Sequence, residues 1–432
     1  MRSHAPHLPS ARSLLLAVLA VAATLLGATS AEAAQRYVSP AGTGGAPCSS
    51  ANPCPLQAAV ETVAVAGDEV ILAPGTYNEG ANTLDSSLSG LLIHGAAGQP
   101  KPTIVGTSDA GAQVNVQGTG AVVSDLRISH STTNTTPALF LGQTAKAERV
   151  EVTSTGVGIQ IEGDSRVRDS IAIGGTEAYE AGISAYVGGA ANHPTIRNVT
   201  ALGANGIYAG SSSAVATVVL DVRSSIAIGS PGEDVQADNF WATSTTIDLQ
   251  SSNYDSITPL NPFEHVTAPG TGNNQTAAPQ FVDAGAGNYH QAAGSPTIDA
   301  GTADSLTGTT DLDGAARSQG AAIDIGAYEF VPPAPPPAAD TTPPETTIDK
   351  GPKKRSNSKR ATFEFSSSEA GSTFSCKVDA NPTVACTSPL RLKLKRGKHT
   401  VGVVATDASG NADASPATYT WKVKKKRKHH RH

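Results

Sequence analysis

Val123-Ser124-Asp125-Leu126 returns as Val167-Arg168-Asp169-Ser170, Ile196-Arg197-Asn198-Val199 and Val222-Arg223-Ser224-Ser225, with Ala147-Glu148-Arg149-Val150 as a weaker copy. The intervals are 24, 20, 29 and 26 residues. A repeat of this length marks units that cannot bury an apolar face alone and must stack on their neighbours. Each copy is short, β-branched and polar by turns, which is strand chemistry. Unequal spacing suits a strand solenoid, whose turns absorb insertions. The reading is an all-β chain built on a right-handed parallel β-helix, the handedness following from the rule for parallel crossovers.

Composition agrees. Aromatic residues make up 4% of the 432, against 43 Gly and 28 Pro, so the chain is rich in turns and in small core side chains. Arg2 and Arg12 precede an apolar run from Leu14 to Leu26, and Ala31-Glu32-Ala33 offers a small-x-small cleavage site. Residues 1–33 therefore read as a secretory signal peptide, and no later apolar run is long enough to span a membrane. Export permits disulfides, and the spacing favours local pairing, Cys48 with Cys54 and Cys376 with Cys386. Charge is divided along the chain. Residues 35–330 hold 10 Lys and Arg against 28 Asp and Glu, whereas residues 331–432 hold 19 against 8.

Residues 37–77 suit an N-terminal cap: a short amphipathic helix from Cys54 to Glu61, then a first strand at Asp68–Ala73. Val331-Pro332-Pro333-Ala334-Pro335-Pro336-Pro337 opens a linker spanning 331–345. Residues 346–423 alternate with period two in six or seven short runs, the pattern of a small β-sandwich. Residues 424–432 are a basic tail.

Several stretches carry a family resemblance. YVSPAGTGG…GDEVILAPGTY resembles the start of many secreted right-handed β-helix proteins. PQFVDAGAGNYHQAAGSPTIDAGT (279–302) and TDLDGAARSQGAAIDIGAYEF (310–330) resemble the closing motifs of the choice-of-anchor Q, pectate-lyase-like surface proteins. That resemblance implies a fold and an exported location but supplies no catalytic site. FSCKVD…ACTSPL and ATDASGN resemble bacterial surface Ig-like modules.

Four sets of residues are candidates for chemistry. Arg168, Arg197 and Arg223 share one position of the repeat and would stack about 4.8 Å apart. Such a ladder grips carboxylates or sulfates on a linear sugar, or is neutralised by Asp164, Asp169 and other nearby acids. Glu177, Tyr179 and Glu180 sit in an insert that shares an edge with 132–136 and could face a sugar. Arg168 or Arg197 with His193 is the best set for proton abstraction, although the motifs of β-helix hydrolases are missing. Asp311, Asp313 and Asp324 are read as structural, satisfying turn amides and pairing with Arg317 in a closing cap. Asp311-Leu312-Asp313-Gly314 opens like a calcium loop but lacks the later ligands, so no cofactor is expected and calcium stays a minor alternative.

The functional expectation is a secreted or cell-surface monomer that does not catalyse. It would present a glycan-binding face to a polysaccharide or envelope polymer and be held at the envelope by its basic C-terminal module. The alternatives are a polysaccharide lyase or hydrolase acting on an acidic glycan, and a purely structural rod. Export argues against nucleic acid as a partner.

Overall fold

The computed structural model describes residues 33–187, 192–211, 217–238, 244–257, 262–333 and 337–425. The segment read as a signal peptide, apart from Ala33, and the tail beyond Lys425 lie outside the described residues. The chain divides into two compact units between Pro332 and Pro333, inside the proline run. Among the described residues no helix is long and apolar enough to cross a membrane.

In the first unit the repeated phrase is a strand running into a corner. Its first residue points inward. Val70, Ile93, Val123, Ala147, Val167, Ile196, Val222 and Leu249 pair in succession, coil on coil, in a parallel sheet. None is more than 1% exposed. Burying each larger aliphatic side chain contributes about 1.5–3 kcal/mol, so the stack is the main source of stability.

The third residue of the phrase turns the chain. Asp125, Arg149, Asp169, Asn198, Ser224 and Ser251 all have φ between 48° and 55°. Asp and Asn adopt this left-handed conformation more readily than most side chains. A serine in the fourth position satisfies the corner. Ser170, Ser225 and Ser252 each donate Oγ–H to the carbonyl two residues back. Their Oγ atoms accept the N–H of Val150, Val199 and Ser225 in the neighbouring coil.

Beyond the corner, Ile128, Val152, Ala172, Ala201 and Ala227 form a second inward stack. The chain then passes to a separate seven-stranded sheet, whose inward column is Val114, Leu139, Ile159, Ile183, Ile207 and Val235. The crossing is tight: a Cβ on Gly182 would lie 2.5 Å from the Leu202 nitrogen, so only glycine fits there. The unit is thus a parallel β-solenoid, as the repeat predicts.

The N-terminal helix is a single π-helical turn, Ala58–Val63, slightly later than predicted, with Ala59 and Val60 buried. The Cys48–Cys54 disulfide sits beside it. The C-terminal segment departs from expectation. It does not close the end of the solenoid but runs back along its corner. Thr302 meets Ser224, Asp304 meets Arg197, Arg317 meets Asp169, and the Leu312 carbonyl meets Lys101. The cause is an apolar outer surface beyond the corner: Ile171, Ile173 and Leu202 point outward, and Leu312, Ala327 and Tyr328 pack there, burying Ile171 and partly covering Ile173 and Leu202.

The second unit has two mainly antiparallel sheets around an aromatic core. One holds Thr346–Lys350, Arg360–Ser367 and Leu390–Lys393. The other holds Arg355–Ser356, Ala417–Val423, Gly397–Thr406, Thr373–Val378 and Val384–Cys386. Phe363 and Trp421 meet edge to face at 5.0 Å between them. Cys376–Cys386 joins two adjacent strands, the local hairpin expected from spacing.

Candidate functional site

The arginine register is as read: Arg168 pairs with Arg197, and Arg197 with Arg223, on successive coils. The ladder nevertheless presents no free guanidinium. Arg168 holds Glu148 at 2.6 Å. Arg197 is 2% exposed, held between Asp221 at 2.6 Å and Asp304 at 2.7 Å. Arg223 holds Asp221 at 2.8 Å. Asp304 comes from the returning C-terminal segment, so the chain itself covers the centre of the ladder. Asp164 does not join these pairs and instead accepts the His193 amide. His193 is exposed, and no hydrogen bond or ion pair joins it to Arg168 or Arg197. The proton-abstracting set read from sequence is therefore not assembled.

The cap residues form a buried brace. Asp311 accepts the amides of Asp313, Ala315 and Glu329. Asp324 accepts those of Asp299 and Phe330. Arg317 does not pair with these aspartates, because Asp169 and Glu329 reach it first, at 2.8 and 3.0 Å. Asp169 belongs to a corner 148 residues earlier and is fully buried. Burial pushes its carboxyl up from the ordinary range, while Arg317 and Arg168 pull it back. Asp313 turns to solvent and pairs with His290. With both Asp311 oxygens used, the calcium-like start of this loop has no ligand pair to offer. In the second unit Asp340, Glu369 and Asp407 place oxygens within 4.8 Å of one another, but both oxygens of Asp407 already accept from Asn411.

A cavity of about 660 Å³ lies between residues 95–101 and 310–314. Its charges are spent on each other: Lys101 and Arg127 on Glu151, and Arg149 on Asp125.

The outer face of the seven-stranded sheet is different. A groove of about 320 Å³ is lined by Thr135, Val157, Gln160, Tyr179, Ser184, Tyr186 and Tyr208. Its floor follows from strand alternation. Gln160, Ser184 and Tyr208 pair in succession and point away from the core. The two inserts singled out from sequence supply its rim. The first is tied down by Asp109, which accepts from the Thr132 and Thr133 hydroxyls and the Thr133 amide. These donors hold the Asp109 carboxyl below its usual range. The second insert places Tyr179 at φ 70°, with 53% of the residue exposed. Such a backbone conformation in a bulky residue is a strained feature of the kind that gathers at functional sites. Glu180 turns inward and accepts the Glu177 amide, so it is not available to a ligand, while Glu177 stays exposed. Tyr208 donates to Asp238 at 3.4 Å, and burial followed by that carboxylate raises its phenol.

Of the groove, the sequence reading had named only Tyr179 and the inserts. Tyr186, Tyr208, Gln160 and Ser184 were missed. Their signal is a second repeated phrase with one outward position per coil: Leu-Phe-Leu (139–141), Ile-Gln-Ile (159–161), Ile-Ser-Ala (183–185) and Ile-Tyr-Ala (207–209).

No family model and no curated protein matches the chain. Among solved structures, the crystal structure of pectate lyase Pel9A is similar at 15% identity and a TM-score of 0.38, covering 68% of this chain and 96% of that one. The solenoid assignment rests on this chain's own strand pairing.

Proposed function

We propose that this is an exported surface protein of the choice-of-anchor Q kind that binds polysaccharide without cleaving it. The observation that carries the reading is the tyrosine-lined groove on the seven-stranded sheet. Aromatic rings offer flat apolar faces to a sugar ring, and Gln160, Ser184 and Thr135 offer hydrogen bonds along the same strip. The polar groups sit on consecutive coils, a spacing that suits a linear chain of sugars. The second unit, read as an Ig-like module, holds the protein to anionic envelope polymer by charge. Non-catalytic binding is favoured because the arginines that would abstract a proton are locked to carboxylates.

The test uses the full chain against a panel of neutral and acidic polysaccharides. Tyr179→Ala and Tyr186→Ala, both at the groove, are expected to weaken binding about tenfold or more with an unchanged unfolding midpoint. Equal binding by both variants would remove the groove from the account. Release of unsaturated or reducing ends by the wild-type chain would replace binding with catalysis. No binding anywhere on the panel would favour the structural rod.

A further inference from the structure

The second unit carries a row of cations that its own packing does not explain. In the five-stranded sheet Arg355 pairs with Lys422, and Lys422 with Lys398, on three neighbouring strands. All three are exposed, while Trp421, Val423, Val401 and Val403 on alternate positions fill the core. The row therefore lies on the outer face, with cations about 4.8 Å apart from strand to strand. Like charges directly opposite one another destabilise a sheet. Among the described residues none of the three has an ion-pair partner, although Lys350 and His399 nearby do. Arg360 faces Lys393 in the same way on the other sheet.

Next to the row, on the same face, lies a groove of about 280 Å³. Its floor is Gly402, which pairs with Lys377 on one side and Thr418 on the other. Glycine creates the depression: a Cβ there would have only the Thr418 methyl within 4 Å, at 3.9 Å. Thr400, Thr418 and Thr383 line the groove beside Lys377, Ser375, Val404 and Pro416, and Asp379 lines it too, its carboxylate held by His399 and the Thr400 amide. The Thr400 and Thr420 hydroxyls are hydrogen-bonded at 2.9 Å, leading from the groove toward the cations. A depression floored by glycine and walled by hydroxyls and Lys377, with the Lys398–Lys422 pair lying beyond the Thr400–Thr420 pair, matches a sugar ring bearing anionic esters.

We infer that this outer face, Lys377–Gly402–Thr418 together with Arg355–Lys422–Lys398, is a binding site for a linear glycan bearing sulfate or phosphate esters. The inference rests on the reading of the second unit as a charged anchor and gives that anchor a place and a ligand class. A lipid surface is disfavoured, because this face exposes no large apolar side chain to insert; in the whole unit only Val384 is an exposed large hydrophobic among the described residues. Charge-assisted hydrogen bonds to ester oxygens would offset the repulsion within the row.

The test measures binding of the full chain to dextran sulfate, to polyphosphate, which has the charge without the ring, and to phosphatidylglycerol vesicles. Dextran sulfate is expected to bind, more weakly as salt rises. The double variant Lys398→Glu/Lys422→Glu should lose about tenfold or more in affinity while its unfolding midpoint holds, because the reversed pair repels as before and the carboxylate at position 422 gains Arg355 opposite it. Lys398→Gln/Lys422→Gln gives the same reading if charge reversal impairs folding. Gly402→Val changes no charge, suits a strand and fills the groove, and should weaken dextran sulfate binding but not polyphosphate binding. A phosphorylated mannan then separates phosphate from sulfate esters as the preferred group. Dextran sulfate binding untouched by the double variant, or by Gly402→Val, would overturn the site. Vesicles or polyphosphate binding as tightly as dextran sulfate would also overturn it, leaving charge alone. The loss of dextran sulfate affinity caused by Lys398→Gln/Lys422→Gln is expected to be the same in a Tyr186→Ala background, so the groove of the first unit and this face fail or succeed separately.

Discussion

Two rows of cations stand in this chain, each aligned by strand pairing, and they have opposite fates. In the solenoid, Arg168, Arg197 and Arg223 stack on successive coils and every one holds a carboxylate. In the sandwich, Arg355, Lys422 and Lys398 line up across three strands and none has a carboxylate partner among the described residues. Register alone therefore says little about function. What decides is whether acids interleave with the row and whether the fold covers it. Glu148, Asp221 and Asp304 make the first row a brace, and the bare second row is open to a partner.

The largest effect expected from this contrast comes from the brace. Arg317→Ala leaves Asp169 charged and buried with its main partner gone, and should cost about 3–5 kcal/mol in denaturant unfolding. The loss should depend on pH. Burial raises the Asp169 carboxyl in the folded state. A raised carboxyl weakens folding above its unfolded value and ceases to do so once it is protonated. The deficit of the variant should accordingly shrink as pH falls toward about 4. A deficit independent of pH would mean that packing, not charge, is what Arg317 supplies.

Arg197→Ala comes next. It removes a buried side chain and frees two partly exposed aspartates, and should cost about 1–3 kcal/mol. Lys422→Ala in the open row should cost less than about 0.5 kcal/mol or stabilise slightly. If Lys422→Ala matched Arg197→Ala in unfolding experiments, the contrast between the rows would collapse.

The smallest effect is at His399, which pairs with Asp379 at 2.7 Å near the open row. The hydrogen bond to Asp379 raises the imidazole. For the carboxyl, burial is the largest single effect and raises it, but the hydrogen bonds from His399 and the Thr400 amide together with the imidazolium charge outweigh burial and lower it. The His contribution is complete below about pH 6.5 and fades as pH rises through the raised value. The Asp contribution is present above about pH 4 and is lost below it. Stability of the second unit should therefore peak gently between these limits. The gain stays well under about 1 kcal/mol because Asp379 is more than a third exposed and screened. His399→Gln should flatten the profile, and an unchanged profile would show that the pair contributes nothing.

Much of this architecture was legible beforehand. The inward column at Val123, Ala147, Val167, Ile196 and Val222 followed from spacing, since a stacked coil repeats its core position whatever its turns do. The disulfides followed from proximity along the chain. The corner was half legible: Asp125, Asp169 and Asn198 are residues that accept left-handed backbone, but Arg149 at the same place is not an obvious member. The tyrosine groove was missed because attention to one phrase per coil hid the second. Gln160, Ser184 and Tyr208 are each a single outward position in an apolar run, and only strand pairing sets them side by side.

The sequence by itself determined the coil, because a buried column of small aliphatic residues has one low-energy way to stack. It also determined the division of charge between the two parts of the chain and the alternating core of the sandwich. Only the tertiary structure decided which polar residues remain open. Leu312, Ala327 and Tyr328 draw the C-terminal segment onto Ile171, and that brings Asp304 and Arg317 to corners more than a hundred residues away. Pairings of such separation depend on where the chain folds back, and no local pattern of residue types encodes that.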